Sequence, residues 1–148
     1  MATTGDSALF VDTNVLVYAN VAEAPHHAAA LAAIETAREA DRTLWISRQV
    51  LREYLVIMTR PQSFETLDGA TVLNQIRQFL DLFEVADESA AVTERLIALM
   101  TEVPISGKQV HDANIVATLL AYGIPTLVTH NTRDFVRFGK HIRFESIE

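Results

Sequence analysis

Apolar residues recur along the chain in two rhythms. Short β-rich runs lie at 8–11, 43–47, 83–85, 125–129 and, more weakly, 142–144. Their length and composition suit buried strands. Between them apolar residues return every three or four positions, as on one face of a helix. In 26–40 that spacing groups Ala30, Leu31, Ile34 and Ala37; in 48–59 it groups Leu51, Tyr54, Leu55 and Met58. In 69–82 it predicts burial of Val72, Ile76, Phe79 and Leu80, and in 89–102 of Val92, Leu96, Leu99 and Met100. In 110–122 the predicted buried set is Ile115, Val116, Leu119 and Leu120. Strands alternating with helices predict a three-layer α/β/α fold, Rossmann-like, with a central parallel sheet and right-handed crossovers. Pro61 stops the helix begun at Arg48, Pro104-Ile105-Ser106-Gly107 separates two helices, and Gly123 reads as a helix C-cap.

Composition narrows the function. At 148 residues, 49% of them hydrophobic, the chain is long enough for one domain with a real core, expected over 8–148. Residues 1–7 carry no positive charge and no apolar stretch, so they are expected to be a disordered tail rather than a signal peptide. No long uncharged apolar run predicts a membrane span, and a cytoplasmic location is expected. Cysteine is absent, which excludes disulfides and thiolate metal sites. The formal net charge of −7 argues against a simple basic nucleic-acid binder, because phosphates are repelled at long range. That objection weakens if the negative charge surrounds divalent cations.

Four acids stand out. Asp12 directly follows the first strand, Glu53 lies on the helix after the second, and Asp112 opens the helix leading to the fourth. Asp134 follows the fourth strand. Taken singly, each has an ordinary reading: Asp12 and Asp112 as helix caps, Glu53 on a solvated face, Asp134 in a turn. Together, Asp12, Glu53 and Asp134 can converge at one edge of a parallel sheet, where the turns after the strands meet and ligands bind, and Asp112 joins them if its helix starts near the same edge. Carboxylates so gathered repel one another unless a proton or cation intervenes. Their oxygens suit Mg²⁺ or Mn²⁺.

In these residues the sequence resembles the PIN-domain nucleases, in particular the VapC-type toxins of toxin–antitoxin pairs. The resemblance rests on Phe10-Val11-Asp12-Thr13-Asn14-Val15-Leu16, on Glu53 after Arg48-Gln49-Val50-Leu51-Arg52, on His111-Asp112-Ala113-Asn114-Ile115-Val116-Ala117, and on Thr129-His130-Asn131-Thr132-Arg133-Asp134-Phe135. It runs in order from about Leu9 to Phe144. It implies a Mg²⁺- or Mn²⁺-dependent endoribonuclease that hydrolyses RNA through metal-activated water. It further implies a cognate VapB-like antitoxin and a homodimer. The implied metal ligands are Asp12, Glu53, Asp112 and Asp134, holding one cation or two. Some members of the family place an acid where Asn131 stands here; Asp134 is taken as the fourth carboxylate and Asn131 as a neutral auxiliary. Thr13 and Asn14 are auxiliaries of the Asp12 loop. Arg48, Arg52, Lys108 and Arg133 are candidates for contacting phosphates, with surface salt bridges as their ordinary role.

His26 and His27 are adjacent and do not face one another, so a shared metal is not expected. His111 and His130 are secondary candidates for proton transfer and substrate contact. Phe79, Phe83 and Trp45 read as core. Two other functions stay open at this point: a PIN-like binding module without catalysis, and an aspartate-nucleophile phosphatase. The latter usually needs a second acid two residues on, where this chain has Asn14.

Overall fold

The structure, a computed structural model, describes residues 7–61 and 67–147; residues 1–6 of the expected tail lie outside them. Five strands form one parallel sheet: β1 (Leu9–Val11), β2 (Leu44–Ser47), β3 (Glu84–Ala86), β4 (Thr126–Thr129) and β5 (Arg143–Ser146), in the order β3-β2-β1-β4-β5. Among the described residues seven α-helices flank it: α1 (Thr13–Asn20), α2 (His27–Glu39), α3 (Arg48–Thr59), α4 (Gly69–Leu82), α5 (Ala90–Glu102), α6 (Gln109–Tyr122) and α7 (Thr132–Phe135).

The inner strands β1 and β4 are buried along their whole length, as expected of parallel strands covered on both faces. Their register, Leu9 with Thr126 through Val11 with Val128, sets the centre of the sheet. The order turns there: β1 leads to β2 and β3 on one side, while β4 and β5 lie on the other. Such a switch point leaves a crevice at the carboxyl edge of the strands. The core spreads outward from Phe10, Val11, Ile46 and Leu127. Tyr54 packs edge-on against Phe79 with ring centroids 4.9 Å apart, and Phe79 reaches Phe83 at 6.0 Å.

Element positions follow the predicted rhythm, with borders shifted by a residue or two. The helix α7 is additional: four residues are too few to show a periodicity. Three predicted core residues are exposed, namely Leu31, Leu80 and Met100. Each belongs to an apolar stripe that is wider than the face covered by the neighbouring elements. Leu96, Ile76 and Leu120 are half-buried for the same reason. Trp45 is also only half-buried, tilted against Tyr122 at 5.5 Å.

Gly123 ends α6 with φ 69° and ψ 30°, and its N–H reaches the carbonyls of Leu119 and Leu120. A side chain there has room but not the right backbone. Gly123→Ala is therefore expected to cost about 1 kcal/mol, measured as a lower urea midpoint with an unchanged slope.

Candidate metal centre at the carboxyl edge of the sheet

Asp12 is the first residue beyond β1, and its N–H donates to the Val128 carbonyl of β4 at 3.1 Å. The backbone ladder thus carries the side chain into the crevice between the two strands. The carboxylate is only 6% exposed. Its Oδ1 accepts the Thr13 N–H at 2.8 Å, so Asp12 does cap α1. Its Oδ2 accepts the Thr129 hydroxyl at 2.8 Å and the Asn14 amide at 3.2 Å. The cap and the candidate site residue are one and the same.

Glu53 faces the same place from α3. Its Oε1 accepts the Thr13 hydroxyl at 2.7 Å and its Oε2 accepts the Gln49 amide at 3.2 Å. Asp112 lies in the first turn of α6 and makes no cap bond; Lys108 holds the N-cap position. The capping role foreseen for Asp112 is thus not used. Asp134 is exposed on α7 and acts on Asp112 through its charge.

Burial pushes the Asp12 carboxyl up to about 6, and the negative charges of Glu53 and Asp112 add to it. The hydrogen bonds from Thr129 and Thr13 pull the other way. Asp112 is likewise pushed up to about 6 by burial, then by Asp134 and Glu53, against the positive charges of His111 and Arg137. Four carboxylates therefore feel one another, with Asp112 linking Asp134 to Glu53. Shared negative charge of this kind marks a place for a cation or for proton traffic.

Two further polar residues complete the arrangement, and neither drew a role from sequence. Thr129 ends β4 and, besides donating to Asp12, accepts the Asn131 N–H at 3.0 Å and the Asn14 amide at 3.3 Å. Gln49 is buried between α3 and α6. Its amide also donates to the His111 carbonyl at 2.9 Å, and its oxygen accepts from Asn114 at 2.8 Å. Gln49 precedes Glu53 by one helical turn, a spacing that could have flagged it as a partner. Gln49→Ala would leave the His111 carbonyl and the Asn114 amide without it. A loss of about 1–3 kcal/mol is expected, read from thermal or urea unfolding.

Asn14 braces the loop on both sides: its oxygen accepts the His130 N–H at 3.0 Å. The position a phosphatase would fill with an acid is occupied by this brace. The exposed side chain of Asn131 makes no cap bond on α7. Of the candidate phosphate contacts, Arg48 pairs with Asp87 at 3.0 Å and Arg52 holds both oxygens of Glu88 at 2.9 and 3.1 Å. Lys108 and Arg133 are exposed. A cleft of about 420 Å³ opens beside the carboxylates, lined by Thr13, Gln49, Arg52, Glu53, Val56, Ile57 and His111.

The family model of the PIN domain matches residues 9–141, which span all four acids. The chain belongs to the PIN-domain family. This PIN domain is 30% identical over 138 residues to Ribonuclease VapC24 of Mycobacterium tuberculosis, covering 88% of this chain and 91% of that one. Its fold is similar to that in the crystal structure of VapBC2 from Rickettsia felis bound to a DNA fragment from their promoter. There the TM-score is 0.73 at 24% identity, over 95% of this chain and 99% of the other. A toxin–antitoxin complex from Klebsiella pneumoniae superposes with a TM-score of 0.60 at 27% identity, over 87% and 90% of the two chains. No helix among the described residues is long and apolar enough to cross a membrane.

The donor chemistry of this PIN domain fits a hard divalent cation, since every candidate ligand is a carboxylate oxygen. As they stand, no three acidic or histidine side chains among the described residues are gathered tightly enough to enclose an ion. Asp12 and Glu53 are pinned by hydrogen bonds, whereas Asp112 is half-buried and Asp134 exposed.

Proposed function

We propose that this PIN domain is a divalent-metal-dependent endoribonuclease and the toxin of a toxin–antitoxin pair, restrained by a VapB-like antitoxin. One observation carries the catalytic half of this reading. A buried aspartate sits at the switch point of the sheet, held by three hydrogen-bond donors, with neighbouring carboxylates raising its proton affinity. The ribonuclease name of the 30%-identical relative supports the substrate class, and the toxin–antitoxin complexes of similar fold support the partner.

Asp12, Glu53, Asp112 and Asp134 are the residues that would hold Mg²⁺ or Mn²⁺. When bound, the cation supplies Lewis acidity toward water and phosphate and offsets the local negative charge. Thr129, Thr13 and Asn14 fix the orientation of Asp12, and Gln49 with Thr13 fixes that of Glu53. Arg52 borders the cleft, and with Arg48, Lys108 and Arg133 it is assigned to phosphates of the incoming RNA. Leu73 and Leu80 on α4 and Ile97 and Met100 on α5 expose apolar area suited to a second copy of the chain.

The test is direct. Purified protein incubated with cellular RNA and Mg²⁺ or Mn²⁺ should yield discrete cleavage products. EDTA should abolish them and excess cation should restore them. Undiminished cleavage in EDTA, or none with either cation, would refute the assignment.

A further inference from the structure

Three rings on one flank of the site have no part in the chemistry above. Tyr18 projects from α1, His26 stands just before α2, and His130 directly follows β4. The ring centroids of His26 and His130 are 4.2 Å apart, and Tyr18 lies 5.7 and 5.6 Å from them. None belongs to the core: His26 is exposed, and Tyr18 and His130 are half-buried.

The cluster is fixed relative to Asp12. The His130 N–H is bonded to Asn14, whose amide contacts Asp12. The His130 ring is anchored on the far side, its Nδ1 3.3 Å from the Ile147 carbonyl. His27 Nδ1, 2.7 Å from the Tyr18 carbonyl, ties the start of α2 to α1. His26 itself has φ 63° and ψ 14°, a left-handed conformation uncommon outside glycine, and makes no cap bond. The turn thus adopts an unfavourable backbone at the residue whose ring lies against His130 and remains open to solvent.

We propose that His26, His130 and Tyr18 form a stacking subsite for one unpaired base of the RNA, beside the phosphate that is cut. The assignment rests on the ribonuclease reading. Flat imidazole and phenol rings stack on any base, and single-stranded RNA offers bases to stack. The chain's charge of −7 makes this grip valuable. An acidic protein gains little long-range attraction for phosphates, so short-range contacts that need no charge must supply much of the hold.

The test uses full-length Asp12→Asn protein, so that RNA is bound without being cut. Single-stranded RNAs carry 2-aminopurine at each position in turn. Stacking predicts quenching at one position on binding. His26→Asn, which tolerates the left-handed backbone, should abolish that quenching and weaken binding of intact RNA roughly ten-fold. RNA lacking that one base should bind both proteins equally, and His26→Phe should restore the quenching. Quenching that survives His26→Asn overturns the subsite, as does a ten-fold loss that persists with the abasic RNA. Wild-type protein that binds and quenches but never cuts would refute the nuclease reading instead, and RNA that does not bind at all refutes both.

Discussion

Asp12→Asn is expected to cleave RNA slower than wild type by a factor on the order of 100 or more, while remaining folded. Changes to groups that merely orient metal ligands typically cost about 10- to 100-fold, so loss of the central carboxylate should cost at least the upper figure. Three of the donors around Asp12 also hold other partners or sit on fixed backbone, so the loop should keep its shape. The same substitution removes a buried charge from a region crowded with carboxylates. Its melting temperature at pH 8 in EDTA should be no lower than that of wild type. Cleavage progress curves on a defined RNA, with circular dichroism melts of both proteins, measure the two halves. Wild-type cleavage by a folded Asp12→Asn protein would sink the assignment of Asp12.

The second large effect is on stability against pH in the metal-free protein. Burial pushes the Asp12 carboxyl up to about 6 in the folded chain, from its ordinary value of 3.8 when unfolded. Between those values the folded state holds more protons, so stability falls as pH rises. The contribution of the neutral carboxyl is fully present below about 4 and lost by slightly above 6. For Asp12 this amounts to roughly 3 kcal/mol. Asp112 acts in the same direction, with a smaller effect because it is only half-buried. Melts in EDTA from pH 4 to 8, taken as the difference between wild type and Asp12→Asn, cancel groups that titrate alike in both. The difference should grow in favour of the variant as pH rises through 4–6, then level off. Saturating Mg²⁺ or Mn²⁺ at pH 8 should recover the lost stability in wild type alone, since only a ligand of the folded state stabilises it. A difference that stays flat with pH would mean that Asp12 is not held in the environment described.

Much of the fold was legible because burial imposes strong patterns. Val11 sits in an unbroken apolar run and Val128 in a short β-rich one, since both faces of a parallel sheet are covered. Gly123 announced a left-handed helix end. What escaped were features whose cause is tertiary. Leu80 and Met100 have the spacing of buried residues, but the elements packed against their helices leave these positions exposed. At the site, Asp12 and Asp134 stood out by their place after strands. Thr129 did not, because a hydroxyl at a strand end acquires meaning only from a partner 117 residues away; for Gln49 the one-turn spacing to Glu53 was legible, but its tie to the His111 carbonyl, 62 residues on, was not. The cap reading of Asp12 was correct without being an alternative to the site. For Asp112 the dipole of α6 is available, but the N-cap position is four residues earlier.

The parallel sheet has a practical corollary for handling the protein. With every strand running the same way, the chain enters β1 at one rim and leaves β5 at the other. Ser7 therefore lies on the rim away from Asp12, whereas the Ile147 carbonyl already stands beside His130. The described residues thus begin, at Ser7, at the back of the molecule, the side to prefer for an affinity tag or fluorescent fusion. They end, at Ile147, beside the crevice, where the bulk of a fusion competes with the RNA for space. Fusions at the two ends are thus not equivalent probes, and the front end is the one to use.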